Sequence, residues 1–122
     1  MEPNITAEQA REIVETKMAP RVTEEIIKAK IAEVSYFVVK NDADPNSSIT
    51  TVCFIIMRNG FRFVGHATPA SPENFDEEVG RRYAYDNAFK QIWSHEGYLL
   101  REILWNRDMQ WAAAASEEEA PE

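Results

Sequence analysis

Basic, amide and aromatic side chains alternate along the segment from Asn74 to Leu104. Arg81, Arg82, Asn87, Lys90 and Arg101 are set among Phe75, Tyr83, Tyr85, Phe89 and Trp93. Guanidinium forks grip phosphate oxygens, flat rings stack on a base, and an amide reads a ribose hydroxyl or a base edge. The mixture suits a phosphorylated, base-bearing ligand. The arginines also stand near Glu77, Glu78, Asp86 and Glu102, the first three at helical spacings, where they would form surface ion pairs instead. Asn87 has two readings: a hydrogen bond to a neighbouring loop or subunit, or readout of ribose or base, since an amide on an apolar helix face must find partners. Trp93, Tyr98 and Trp105 are of the types that anchor cores and interfaces.

Other chemistries find little support. His66 and His95 are far apart and have no motif partners for a metal site or a nucleophile–base pair. Cys53 lies inside an apolar run, where a thiol acts as a small core hydrophobe. The acidic residues between Glu73 and Glu78 fall at a helix start, where they complement the helix dipole without any metal. The glycines are scattered and form no phosphate-binding loop of the G-x-x-x-x-G-K-[ST] type. The reading is of a binding protein, not an enzyme, with no cofactor and no metal.

These residues sit in a chain of 122 residues with a formal charge of −8, the size of one small domain. Such a charge opposes non-specific binding to a nucleic-acid backbone. Residues 58–107 balance seven basic against seven acidic side chains, so a small anion is not repelled there. The negative excess lies toward the two ends. The lone cysteine, the polar acidic N-terminus and the lack of a long apolar run lead us to expect a soluble cytoplasmic protein without signal peptide or membrane span.

The elements that must position the chemistry read as an α+β domain over residues 1–111. Thr6 and Gln9 form a capping box for a helix over Ala7 to Lys17, which Ala19-Pro20 stops. Thr23 caps a second helix carrying Ile26, Ile27 and Ile31 and running to about Ala32. Val34 to Lys40 is a β-rich strand, followed by the loop sequence NDADPNSS. A second strand spans Ile49 to Met57, and its continuously apolar part from Val52 predicts cover on both faces. Asn59-Gly60 signals a tight hairpin into a third strand at Phe61 to Val64, giving a three-stranded antiparallel meander. A loop containing Pro69 and Pro72 then leads to a long helical region capped by Asn74 and broken near Gly97. The tail at 112–122 has nothing to pack and is expected to be disordered.

The long helical region carries apolar side chains on nearly every side, and such a helix must be covered twice. The small sheet supplies one layer. A second copy of the chain supplies the other most economically, so the expected state is a homo-oligomer joined along its final helices.

The run from Asn59 to Leu104 also resembles a tailed-phage protein family. It shares Asn59-Gly60-Phe61, Val64-Gly65, Asn74-Phe75-Asp76 with Glu78 and Gly80, Ala84-Tyr85 with Asn87-Ala88, Ile92-Trp93, and Glu96-Gly97-Tyr98-Leu99-Leu100. Residues 1–20 and 106–122 lie outside the resemblance. The family is similar to the first type of Thoeris anti-defence protein, a phage-encoded sponge for an immune signal. In that system a bacterial TIR enzyme converts NAD into a cyclic ADP-ribose isomer, and the sponge holds the isomer away from its effector. The resemblance implies sequestration without turnover in the bacterial host cytoplasm, dimers and hexamer-like assemblies, and, for some members, separate sites for cyclic oligonucleotides. It places Phe75 for stacking and Asn87 for ribose or adenine. Arg58, Arg101 and Arg107 are added for phosphates from their chemistry and nearness to the motifs. His66, where an acidic residue is expected, and Ser94-His95, in place of a Pro-Leu pairing, depart from the pattern. The alternative function is a phage accessory protein that inhibits a host protein by contact through exposed aromatic surface; a small nucleotide hydrolase ranks third.

Overall fold

A computed structural model describes residues 1–44 and 48–119. The middle of the NDADPNSS loop and residues 120–122 of the expected tail lie outside the described residues. The fold is α+β: two short helices, a three-stranded antiparallel sheet and one long helix.

Helix α1 (Ala7–Glu15) starts at the expected capping box, in which the Thr6 N–H donates to Gln9 Oε1 at 2.8 Å and the Gln9 N–H to Thr6 Oγ1 at 3.1 Å. It buries none of its residues. Helix α2 (Glu24–Ala29) is capped by Thr23 and ends earlier than the apolar stripe suggested. Lys30 closes it, and Ile31 already belongs to strand β1 (Ile31–Val39). Pairing decides that boundary: Ile31 lies opposite Met57 of β2 (Thr50–Met57), and the Arg58 N–H donates to the Lys30 carbonyl at 2.8 Å. Propensity yields to a sheet partner here.

The β2–β3 hairpin forms at Asn59-Gly60. Gly60 takes φ +91°, a conformation open to glycine at little cost. Its N–H donates to the Met57 carbonyl at 2.9 Å, and Asn59 Oδ1 accepts from the Phe61 N–H at 2.9 Å. Strand β3 (Arg62–Ala67) runs further than Val64, and the strand order is β1-β2-β3.

Helix α3 (Glu77–Glu119) differs from the expected region in three ways. Its N-cap is Asp76, whose Oδ1 accepts from the Val79 N–H at 2.9 Å, while Pro72–Asn74 forms a short 3₁₀ turn that takes Asn74 out of the capping position. It passes Gly97 without a break; an isolated helical glycine costs about 1 kcal/mol relative to alanine, too little to end a helix flanked by good helix formers. It also continues through Ala112–Ala115, strong helix formers, where an unstructured tail was expected. Removing the cap tests the first point: Asp76→Ala is expected to lower stability by about 1 kcal/mol in urea unfolding, whereas Asn74→Ala leaves it unchanged.

The core lies between α3 and one face of the sheet. Ile55, Cys53, Met57 and Phe63 meet Ala84, Ala88, Phe89 and Ile92, with Ile27 of α2 closing one end. Along β2, residues 51, 53, 55 and 57 are buried, while Thr50, Val52, Phe54 and Ile56 are only partly covered. The expectation that β2 is covered on both faces holds for one face alone within the protomer. No described element forms a layer over the other, although it is just as apolar.

Candidate functional site

Three elements converge on a cleft of about 420 Å³: the end of α2, the β2–β3 hairpin and the middle of α3. This volume suits a small-molecule ligand. Its apolar wall is Met57, Phe61, Phe63 and Leu99, and its polar rim is Lys30, Arg58, Asn59, His95 and Glu96.

The hairpin presents Phe61 and Phe63, and α3 lays His95 against both. The ring centroids are 5.1 Å apart for Phe61–Phe63, 5.6 Å for Phe61–His95 and 4.9 Å for Phe63–His95. His95 Nδ1 lies 3.0 Å from the Gln91 carbonyl, which can only accept, so Nδ1 carries a hydrogen and donates it there. Lys30 Nζ meets Glu96 Oε2 at 2.6 Å, with Glu96 mostly buried, so this cation is neutralised inside the cleft. Arg58 forms no ion pair among the described residues. The cleft thus offers flat aromatic surface for a ring and one uncommitted guanidinium for an anionic group.

The expected site residues are distributed across the protomer. Arg58 lines this cleft. Phe75 lines a different one, of about 250 Å³, between the loop after β3 and the start of α3, where no basic side chain joins it. Asn87 has its oxygen engaged: Oδ1 accepts the His66 N–H at 3.1 Å. One turn on, Gln91 Nε2 donates to the Val64 carbonyl at 2.8 Å and to the Asn87 carbonyl at 3.0 Å. The two amides therefore occupy the free edge of β3 as a neighbouring strand would, a way of closing a sheet edge. Arg101 and Arg107 lie fourteen and twenty residues beyond Asn87, roughly 21 and 30 Å along the axis at about 1.5 Å per residue. Arg107 stands 3.7 Å from Asp108 in an exposed pair.

The arginines that opened the sequence reading are paired with carboxylates. Arg81 meets Glu77 at 2.7 Å and Glu78 at 3.4 Å, and Arg82 forms a close pair with Asp86. Their guanidinium groups lie over Tyr36 and Tyr85, at 5.7 and 5.4 Å from the ring centroids. Helical spacing foretold the ion pairs. Cys53 is fully buried, and burial pushes its thiol pKa upward, opposite to what a nucleophile needs. Among the described residues no group of three His, Cys, Asp or Glu side chains is placed to hold a metal ion. No helix among them is long and apolar enough to cross a membrane.

Sequence reasoning missed Lys30, Phe61, Phe63, His95 and Leu99 as cleft residues. Only the Phe-x-Phe after the turn and the departure at Ser94-His95 hinted at them.

The protein-family model described as the phage protein (N4 Gp49/phage Sf6 gene 66) family matches residues 22–104, more than half of the chain. The chain belongs to this family. The match takes in α2, the whole sheet and α3 as far as Leu104, so every residue of the aromatic cleft lies within the part that defines this phage protein family. No curated protein and no solved structure matches the chain.

Proposed function

We propose that this phage protein binds a nucleotide-type signalling molecule and withholds it unchanged from its receptor. The observation that carries the reading is the aromatic cluster of Phe61, Phe63 and His95 beside the uncommitted Arg58, in a cleft of ligand size. A base stacks on the rings, and a phosphate meets the guanidinium. Sequestration asks nothing more of the site. The resemblance to Thoeris anti-defence proteins makes a cyclic ADP-ribose isomer the first ligand to try, in the cytoplasm of an infected bacterium. Chain pairing along the distal half of α3 belongs to the same proposal. There Trp105, Met109 and Trp111 are 49%, 52% and 78% exposed, more apolar surface than one helix leaves to water without a partner.

Mixing the protein with a cyclic ADP-ribose isomer, removing unbound ligand and heating the complex is expected to return the isomer intact on chromatography. Recovery of a changed product would make the protein an enzyme. Absence of any bound isomer, with capture of a host protein through the exposed tryptophans, would favour inhibition by contact.

A further inference from the structure

The outward face of the sheet is apolar, open and patterned. Register places its residues in rows across β1, β2 and β3: Glu33, Ile56 and Arg62; then Ser35, Phe54 and Val64; then Phe37, Val52 and His66. Phe37 and Phe54 meet edge to face at 5.7 Å, and Val39 extends the patch beyond the last row. Phe37, Val39 and Val64 are 55%, 57% and 45% exposed. A contiguous apolar sheet face of this kind marks an interaction surface.

The charges at its end say which partner fits. Glu33 and Arg62 stand in one row, on opposite edge strands, with Ile56 between them. Neither forms an ion pair among the described residues. Consider a second copy laid face to face on a two-fold axis that runs along β2 and lies between the sheets. Rotation about that axis carries each row onto itself and brings β1 of one copy over β3 of the other. Glu33 then faces the second copy's Arg62 and Arg62 its Glu33, while Phe37 faces His66 and the central residues Val52, Phe54 and Ile56 meet their own equivalents. A two-fold axis across the strands would instead set β3 on β3 and leave both charges without partners. The first arrangement also matches the aligned packing of β-sandwiches, in which strand directions agree to within about 30°.

We infer that the open sheet face is an isologous interface between two copies of this chain, with reciprocal Glu33–Arg62 pairs fixing its axis. It is a surface distinct from the distal half of α3, and it does not depend on what the cleft holds. The interface completes the second cover that the continuously apolar β2 calls for.

Sedimentation of the full chain at micromolar concentration tests this. Phe37→Glu is expected to reduce the particle mass to half or less of the wild-type value, and Val64→Lys to do the same. Both side chains are exposed in the protomer, so circular dichroism and the thermal midpoint should confirm that the variants fold. Glu33→Arg alone and Arg62→Glu alone are each expected to weaken self-association about tenfold, and the doubly reversed chain to recover most of that loss. A wild-type chain with the mass of one subunit would overturn the inference. So would folded Phe37→Glu and Val64→Lys chains of unchanged mass, or a double reversal no better than either single change.

Discussion

Gly65→Ala is expected to cost at least about 3 kcal/mol of folding stability, seen as an early urea transition or as failure to recover folded chain. A Cβ built on Gly65 would lie 2.2 Å from the Ala84 carbonyl oxygen and 2.3 Å from the Ala88 nitrogen. Both are backbone atoms of α3 and cannot rotate aside as a side chain would. The helix must move off β3, lifting Ala84, Ala88 and Ile92 from the core and stretching the Asn87–His66 and Gln91–Val64 hydrogen bonds. Each of those bonds is worth about 1 kcal/mol. A domain of this size has only about 5–15 kcal/mol in total. Gly97→Ala is the matched control: nothing lies within 4 Å of its Cβ position, so the same change should stabilise α3 by about 1 kcal/mol.

The same geometry explains what the resemblance motifs preserve. Val64-Gly65, Ala84 and Asn87-Ala88 carry the resemblance, and in the fold they form one contact between a helix and a strand edge. Gly65 and the two alanines allow close approach, and Asn87 with Gln91 satisfies the backbone groups that the edge exposes. Spacing along α3 could not separate these roles, because the partners of Asn87 lie about twenty residues upstream on β3. The two readings of Asn87 differ in what meets its amide, and in the protomer its oxygen meets the His66 N–H.

Elements whose causes are local were legible. The Thr6 capping box and the Asn59-Gly60 turn depend on residues within a few positions of one another, and the antiparallel meander joins strands that follow each other along the chain. The cap of α3 was misplaced because a neighbour sets it. Asn74 and Asp76 are both good caps, and Pro72 decides between them by drawing Asn74 into a 3₁₀ turn. The apolar run in β2 was expected to be covered on both faces, and the protomer covers one. The aromatic cleft was the least legible part, since His95 reaches Phe61 and Phe63 only once α3 has crossed the hairpin.

Arg58→Ala is expected to weaken binding of a cyclic ADP-ribose isomer by about ten- to a hundredfold in calorimetry, with no change in thermal midpoint. A charge-assisted hydrogen bond is worth about 1.5–3 kcal/mol, and about 1.4 kcal/mol corresponds to tenfold in affinity. The exposed guanidinium has no ion-pair partner in the described protomer, so its loss leaves the fold intact. Asn87→Ala should behave in the opposite way. It leaves the His66 N–H without its partner and should lower the midpoint by several degrees, about 1–2 kcal/mol, while the folded fraction binds ligand as before. Crossing the outcomes discriminates between edge closure and readout. If Asn87→Ala abolishes binding at an unchanged midpoint, its amide touches the ligand. If Arg58→Ala binds normally, the aromatic cleft beside the hairpin is not where the molecule is held.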